Sequence, residues 1–168
     1  MMPHDTMLDI IKGAILLERR GKSFYQTVAK QTTSKAVRDI FDMMAAEEAI
    51  HIEILQTQYD ELLKKKSMTN MKLIDKPKSI SVNILSEKIR QEISAAGFEA
   101  AAISAAISME EKAVTYYEQR ASESSDQTEK ELYQWLSDWE KSHLKYLSDI
   151  DTELRESVWY DNNFWPLV

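Results

Sequence analysis

The chain has 168 residues, a formal net charge of −7, three glycines, three prolines and no cysteine. That length suits one domain with a real core, and a composition rich in Ala, Glu, Ile, Leu, Lys and Met favours long helices over strands and turns. The acidic balance excludes a general nucleic-acid binder, which needs a basic surface to neutralise phosphates. The lack of cysteine excludes disulfides, thiolate-bound zinc, iron–sulfur clusters and a thiol nucleophile, so any metal must be held by nitrogen and oxygen. No stretch approaches the roughly 18 consecutive apolar residues of a membrane span, and the opening MMPHDTMLDI lacks a signal-peptide pattern, so neither a membrane partner nor export is expected and the address is read as cytoplasmic.

In chain order, the first predicted helix places Ile11, Ala14, Ile15, Glu18, Tyr25 and Ala29 at helical spacing, an apolar stripe with a carboxylate in its middle. The polar break Gln31 to Ser34 supplies a turn, with Ser34 as N-cap. A second helix carries Val37, Phe41, Met44, Glu48, His51, Leu55 and Leu62 on one face. Residues 64–96 then form a long crossover that opens with the basic stretch KKKSMTNMKLIDKPKS and continues into a short helix around Leu85, Ile89 and Ile93. Its lysines read as a solvated surface, or as a dock for an acidic redox partner.

The third helix presents Ile103, Ala106, Ile107, Glu110, Tyr117 and Ala121, and Asp126 with Glu129 resembles a capping box before the next helix. That fourth helix carries Leu132, Leu136, Glu140, His143, Leu147, Ile150 and Leu154. All four are read as roughly 24 to 30 residues long. The tail at 157–168 holds Trp159, Tyr160, Phe164 and Trp165, enough aromatic area to expect it ordered over the bundle or across a dimer interface.

The chain is a degenerate tandem repeat. At an offset of 92, residues 8–63 lie over 100–155 without a gap and with eleven identities, among them Glu18/Glu110, Tyr25/Tyr117, Glu48/Glu140 and His51/His143. Each half therefore contributes one inward glutamate and one Glu-x-x-His pair, Glu48 with His51 and Glu140 with His143. A spacing of three puts both side chains of a pair on one helix face, where a carboxylate oxygen and an imidazole nitrogen grip the same divalent ion. An isolated Glu-x-x-His is usually a surface pair, but these two superpose within apolar stripes. Four ionised carboxylates in a core are costly unless neutralised, and two divalent ions bring the matching four positive charges. Glu47 falls over Trp139 and Glu111 over Arg19, so neither has a symmetric partner and both are expected to point away from the site. His4 has no partner at ligand spacing and reads as incidental.

In the order of these residues, Glu18 with Tyr25, Glu48-x-x-His51, Glu110 with Tyr117 and Glu140-x-x-His143, the span 8–155 resembles the diiron domain of rubrerythrin, within the ferritin-like superfamily. The resemblance implies an all-α, ferritin-like four-helix bundle of two hairpins, filling residues 1–168 as a single domain with the crossover between helices 2 and 3. It implies two irons bridged by Glu48 and Glu140, with Glu18 and Glu110 as terminal carboxylates and His51 and His143 each capping one ion. Tyr25 and Tyr117 would donate hydrogen bonds that orient carboxylates, joining the four glutamates in the catalytic set, or would serve as core aromatics. Two features depart from the family. Ala113, matching Gly21 in the first half, stands where rubrerythrin has a further glutamate, which bears on redox-linked ligand exchange; and the four-cysteine rubredoxin module is missing, so electrons are expected from an external, rubredoxin-like carrier.

The leading functional expectation is an oxidoreductase that reduces hydrogen peroxide, or dioxygen, at the dinuclear centre. Iron oxidation and handling, as in ferritins, is the second reading. A metal-free bundle that binds a partner is the third. Manganese or zinc suits the same donors, and a homodimer is the expected assembly.

Overall fold

The computed structural model describes residues 4–70, 73, 88–89, 91–94 and 97–160, the side chains at 4, 5 and 157–160 lying outside that description. Among the described residues there are four helices and no strand: α1 (His4–Gln31), α2 (Lys35–Lys65), α3 (Phe98–Glu123) and α4 (Gln127–Tyr160). The helices pair as hairpins, α1 with α2 and α3 with α4, while α1 and α3 approach over a short stretch. This is the ferritin-like four-helix bundle that the resemblance implied. None of these helices is long and apolar enough to cross a membrane.

Local chemistry sets the helix ends. Ser34 sits in an extended conformation before α2 and its hydroxyl oxygen accepts from Val37 N, as the sequence implied. The crossover reinforces this cap, because the Glu92 carboxylate accepts from Ser34 Oγ at 2.6 Å and from Ala36 N at 3.2 Å, placing negative charge at the positive end of the helix dipole. At the other end Lys66 adopts a left-handed conformation with φ of 58° and donates its N–H to Leu62 O, a common way to satisfy a terminal carbonyl. Before α4, Asp126 Oδ1 accepts from Glu129 N at 2.9 Å, but the Glu129 carboxylate accepts from Ser124 Oγ at 2.6 Å. The return limb of the expected capping box thus goes to a neighbouring hydroxyl.

At 34 residues α4 outruns the expected length. It continues through Tyr160, into the segment read as the start of the tail, because no glycine or proline interrupts the pattern before Pro166. The remainder of the aromatic tail, 161–168, lies outside the described residues, as do Leu85 and most of the crossover. Residues 88–89 and 91–92 are helical, and Ile89 is fully buried against the bundle with Ile93 beside it. Lys64, Lys65 and Lys66 are exposed.

Two apolar clusters divide the core. One joins the late part of α1 (Tyr25, Val28, Ala29), the early part of α2 (Val37, Phe41, Met44), Ile103 and Ala106 of α3, and Leu147 and Ile150 of α4. The other joins Ile11, Ala14 and Ile15 of α1, Leu55 and Leu62 of α2, Tyr117 and Ala121 of α3, and Leu132 and Leu136 of α4. The repeat explains this division, because a pseudo-twofold relation between the hairpins exchanges the clusters. Between them the carboxylates and histidines form a polar layer sealed from both bundle ends.

Candidate metal centre

All six residues singled out as ligands meet in that layer. Glu18, Glu48, His51, Glu110, Glu140 and His143 are each no more than 4% exposed. They form two overlapping quartets, Glu18–Glu48–His51–Glu140 and Glu48–Glu110–Glu140–His143, with one potential ligand atom per residue lying within 4.8 Å of the others in its quartet. Glu48 and Glu140 belong to both. The imidazole Nδ1 atoms face inward: His51 Nδ1 lies 3.1 Å from Glu18 Oε2, 3.4 Å from Glu48 Oε2 and 2.9 Å from Glu140 Oε1, and His143 Nδ1 lies 3.0 Å from Glu140 Oε2, 3.5 Å from Glu110 Oε1 and 3.8 Å from Glu48 Oε1.

The tyrosines cross between hairpins. Tyr25 of α1 donates to Glu110 of α3, and Tyr117 of α3 donates to Glu18 of α1. Each hydroxyl thereby fixes the rotamer of the carboxylate that the opposite hairpin supplies. Tyr25 and Tyr117 also remain core aromatics, packed against Phe41 and Tyr133 respectively. Glu111 is exposed, as anticipated, and the side chain of His4 lies outside the described residues.

Glu47 corrects the sequence reading. Its carboxylate does not point away: Oε2 lies 2.6 Å from His143 Nε2 and accepts from Trp139 Nε1 at 2.8 Å. Positions 47 and 139 are repeat equivalents that meet across the pseudo-axis, so the partner Glu47 lacked in the alignment of halves is the very residue it bonds. Trp139 and Trp135 were missed as well; their rings stand edge-on to His51 with centroids 4.9 and 5.6 Å away. The available signal was the change from Glu to Trp immediately before an otherwise repeated ligand.

Electrostatics shows how unstable four bare carboxylates would be in this layer. Burial first, then the charge of Glu140, pushes Glu110 up to about 8. Burial together with Glu140 and Glu18 also raises Glu48 well above the carboxylate range. Burial by itself would lower both imidazoles and raise Glu140, but mutual attraction overrides it: the surrounding carboxylates raise His51 and His143, and the two imidazoles hold Glu140 low. Without a cation the cluster holds protons in its place. The donor set suits divalent metal, with inward nitrogens, four carboxylates and a buried Glu140 Oε1 that has no hydrogen-bond partner among the described residues.

A cavity of about 200 Å³ opens between α1 and α3 over the four glutamates. Its lining follows the repeat, with buried Gly21 and Ala113 opposite one another and exposed Arg20 and Lys112 farther out. The small residues at 21 and 113 leave the carboxylates within reach of a small molecule.

The family model described as Rubrerythrin matches residues 9–151. The chain belongs to the rubrerythrin family. Among solved structures, the chain is similar to a hypothetical protein from Pyrococcus furiosus, with a TM-score of 0.59, 20% identity, and coverage of 93% of this chain and 98% of that one. That likeness speaks to the fold. No curated protein matches the chain in sequence. Rubrerythrin membership and the buried Glu/His cluster together point to an oxidoreductase built around a metal site.

Proposed function

We propose that this rubrerythrin-family chain is a non-haem diiron oxidoreductase that reduces hydrogen peroxide, or dioxygen, with electrons from an external protein donor. The observation that carries the reading is the pair of buried quartets sharing Glu48 and Glu140. Glu18, Glu48, His51 and Glu140 would hold one ion, and Glu48, Glu110, Glu140 and His143 the other. When bound, two ferrous ions supply one electron each, matching the balance H2O2 + 2e− + 2H+ → 2H2O.

The chain's own residues prepare the site for that exchange. Tyr25 and Tyr117 hold Glu110 and Glu18 from across the hairpins, so the terminal carboxylates are oriented before substrate arrives. The cavity between Gly21 and Ala113 admits a small oxidant to the carboxylate layer, and the apolar clusters above and below keep bulk water away.

Metal analysis of protein purified without chelator tests the reading. We expect about two irons per chain, lost in Glu48→Ala and in His143→Ala, and oxidation of the reduced protein faster by peroxide than by dioxygen. Metal-free wild-type protein would leave only a helical scaffold. Faster reaction with dioxygen, in a particle much larger than a dimer, would favour iron oxidation instead, a reading that Ala113, in place of a further glutamate, makes the natural competitor.

A further inference from the structure

The two halves of the centre match on the inner side of the imidazoles and diverge on the outer side. His143 Nε2 faces the Glu47 carboxylate at 2.6 Å, and Trp139 Nε1 holds the same oxygen at 2.8 Å. Among the described residues His51 Nε2 is buried without a hydrogen-bond partner, and its ring is flanked by Trp139 and Trp135. One difference within the repeat, Glu47 against Trp139, therefore gives one imidazole a carboxylate and the other an indole.

That difference decides which tautomer each ring can adopt. An imidazole that binds a metal through Nδ1 must carry its proton on Nε2. At His143 that proton has an acceptor in Glu47, which also raises the donor strength of Nδ1 and fixes the ring plane. At His51 the same proton would point at indole, leaving a buried donor unsatisfied. The tautomer with the proton on Nδ1, 3.1 Å from Glu18 Oε2, is the better satisfied one there. Metal binding at His51 must displace that arrangement.

We propose that the two metal positions are unequal, with the His143 quartet filling first and holding its ion more tightly because Glu47 supports that histidine, while the His51 quartet fills second and empties first. Glu47 is on this view a positioning residue. The inference rests on the two-metal reading above and goes beyond it by ordering the sites and naming the residue responsible.

Zinc(II), which is redox-inert, is the probe. It is titrated into the chelator-stripped full chain by calorimetry, while long-range nitrogen–proton spectra follow the ring nitrogens of the three histidines. In wild-type protein the first equivalent is expected to shift His143 Nδ1 and the second His51 Nδ1. Glu47→Ala should weaken the first step by about 10- to 100-fold and divide the first equivalent between the two histidines, leaving the second step within a few-fold of wild type. Glu47→Gln keeps a neutral acceptor and should fall between. The preserved second step, with an unchanged far-ultraviolet circular dichroism spectrum, shows that the fold is intact. Simultaneous loading of both histidines in wild-type protein overturns the ordering while sparing the two-metal reading. Equal weakening of both steps in Glu47→Ala reduces Glu47 to a structural tie. Absence of zinc binding at either histidine removes the two-metal reading and the ordering together.

Discussion

Stripping the metal and raising the pH from 5 to 8 should destabilise the protein, and the size of the effect follows from the buried carboxylates. Glu110 is 2% exposed, with its carboxyl pushed up to about 8 from an ordinary value of 4.5. Between those values the folded chain keeps a proton that the unfolded chain has released. A group raised in this way contributes its full stabilisation below the unfolded value and loses it as the pH climbs toward the folded one. The loss is about 1.4 kcal/mol per pH unit for each such proton, so Glu110 alone removes about 3 kcal/mol between pH 5 and pH 7. That is a large fraction of the roughly 5–15 kcal/mol that stabilises a typical domain. His51 and His143, raised by their carboxylate neighbours, act in the same direction above 6.5. Glu140, held low, acts in the opposite direction but only as the pH falls below 4.5. Two divalent ions replace the protons, so the loaded protein should show little slope over the same range. Urea unfolding followed by circular dichroism, at half-unit intervals and with either chelator or zinc, measures both curves. A metal-free stability that is flat or rises with pH, or a loaded protein with the same slope, would refute the reasoning.

Other substitutions probe separate parts of the argument. Tyr117→Phe removes a fully buried hydroxyl that donates to Glu18. It should lower unfolding free energy by about 1.5–3 kcal/mol, the value of a hydrogen bond to a charged group; an unchanged urea midpoint would mean that Tyr117 acts only through its ring. Gly21→Ala should raise thermal stability by about 0.5–1 kcal/mol, because Gly21 lies inside α1 and an added Cβ would meet Glu48 Cδ at 3.6 Å, an ordinary contact. A lower melting temperature would show that Glu48 needs that space. Ser34→Ala, which deletes the α2 cap, should cost about 1 kcal/mol in denaturant unfolding, and a loss near zero would show that Glu92 caps the helix unaided.

The four helices and the inward direction of Glu18, Glu48, His51, Glu110, Glu140 and His143 were legible in the sequence because both follow from a local periodicity that the repeat states twice. A glutamate within an apolar stripe turns inward whatever the hairpins do relative to one another. Glu47 was not legible by the same reasoning. On α2 it projects about 100° around the axis from Glu48, and whether that direction meets water or another helix depends on where α4 docks. The crossed tyrosines share this origin: each finds the carboxylate of the opposite hairpin, a pairing that spacing along one chain does not specify.

The sequence by itself determined the class of fold, the two hairpins and the nitrogen and oxygen chemistry of the centre, since helix formation and burial of an apolar stripe are settled within a few turns of chain. Only the tertiary structure decided that Nδ1 of each histidine faces the carboxylates, that Glu47 and Trp139 make the two outer environments unlike, and that a cavity opens between Gly21 and Ala113. Those features arise where one hairpin meets the other, and contacts between segments 92 residues apart are set by how two surfaces fit, which no local pattern encodes.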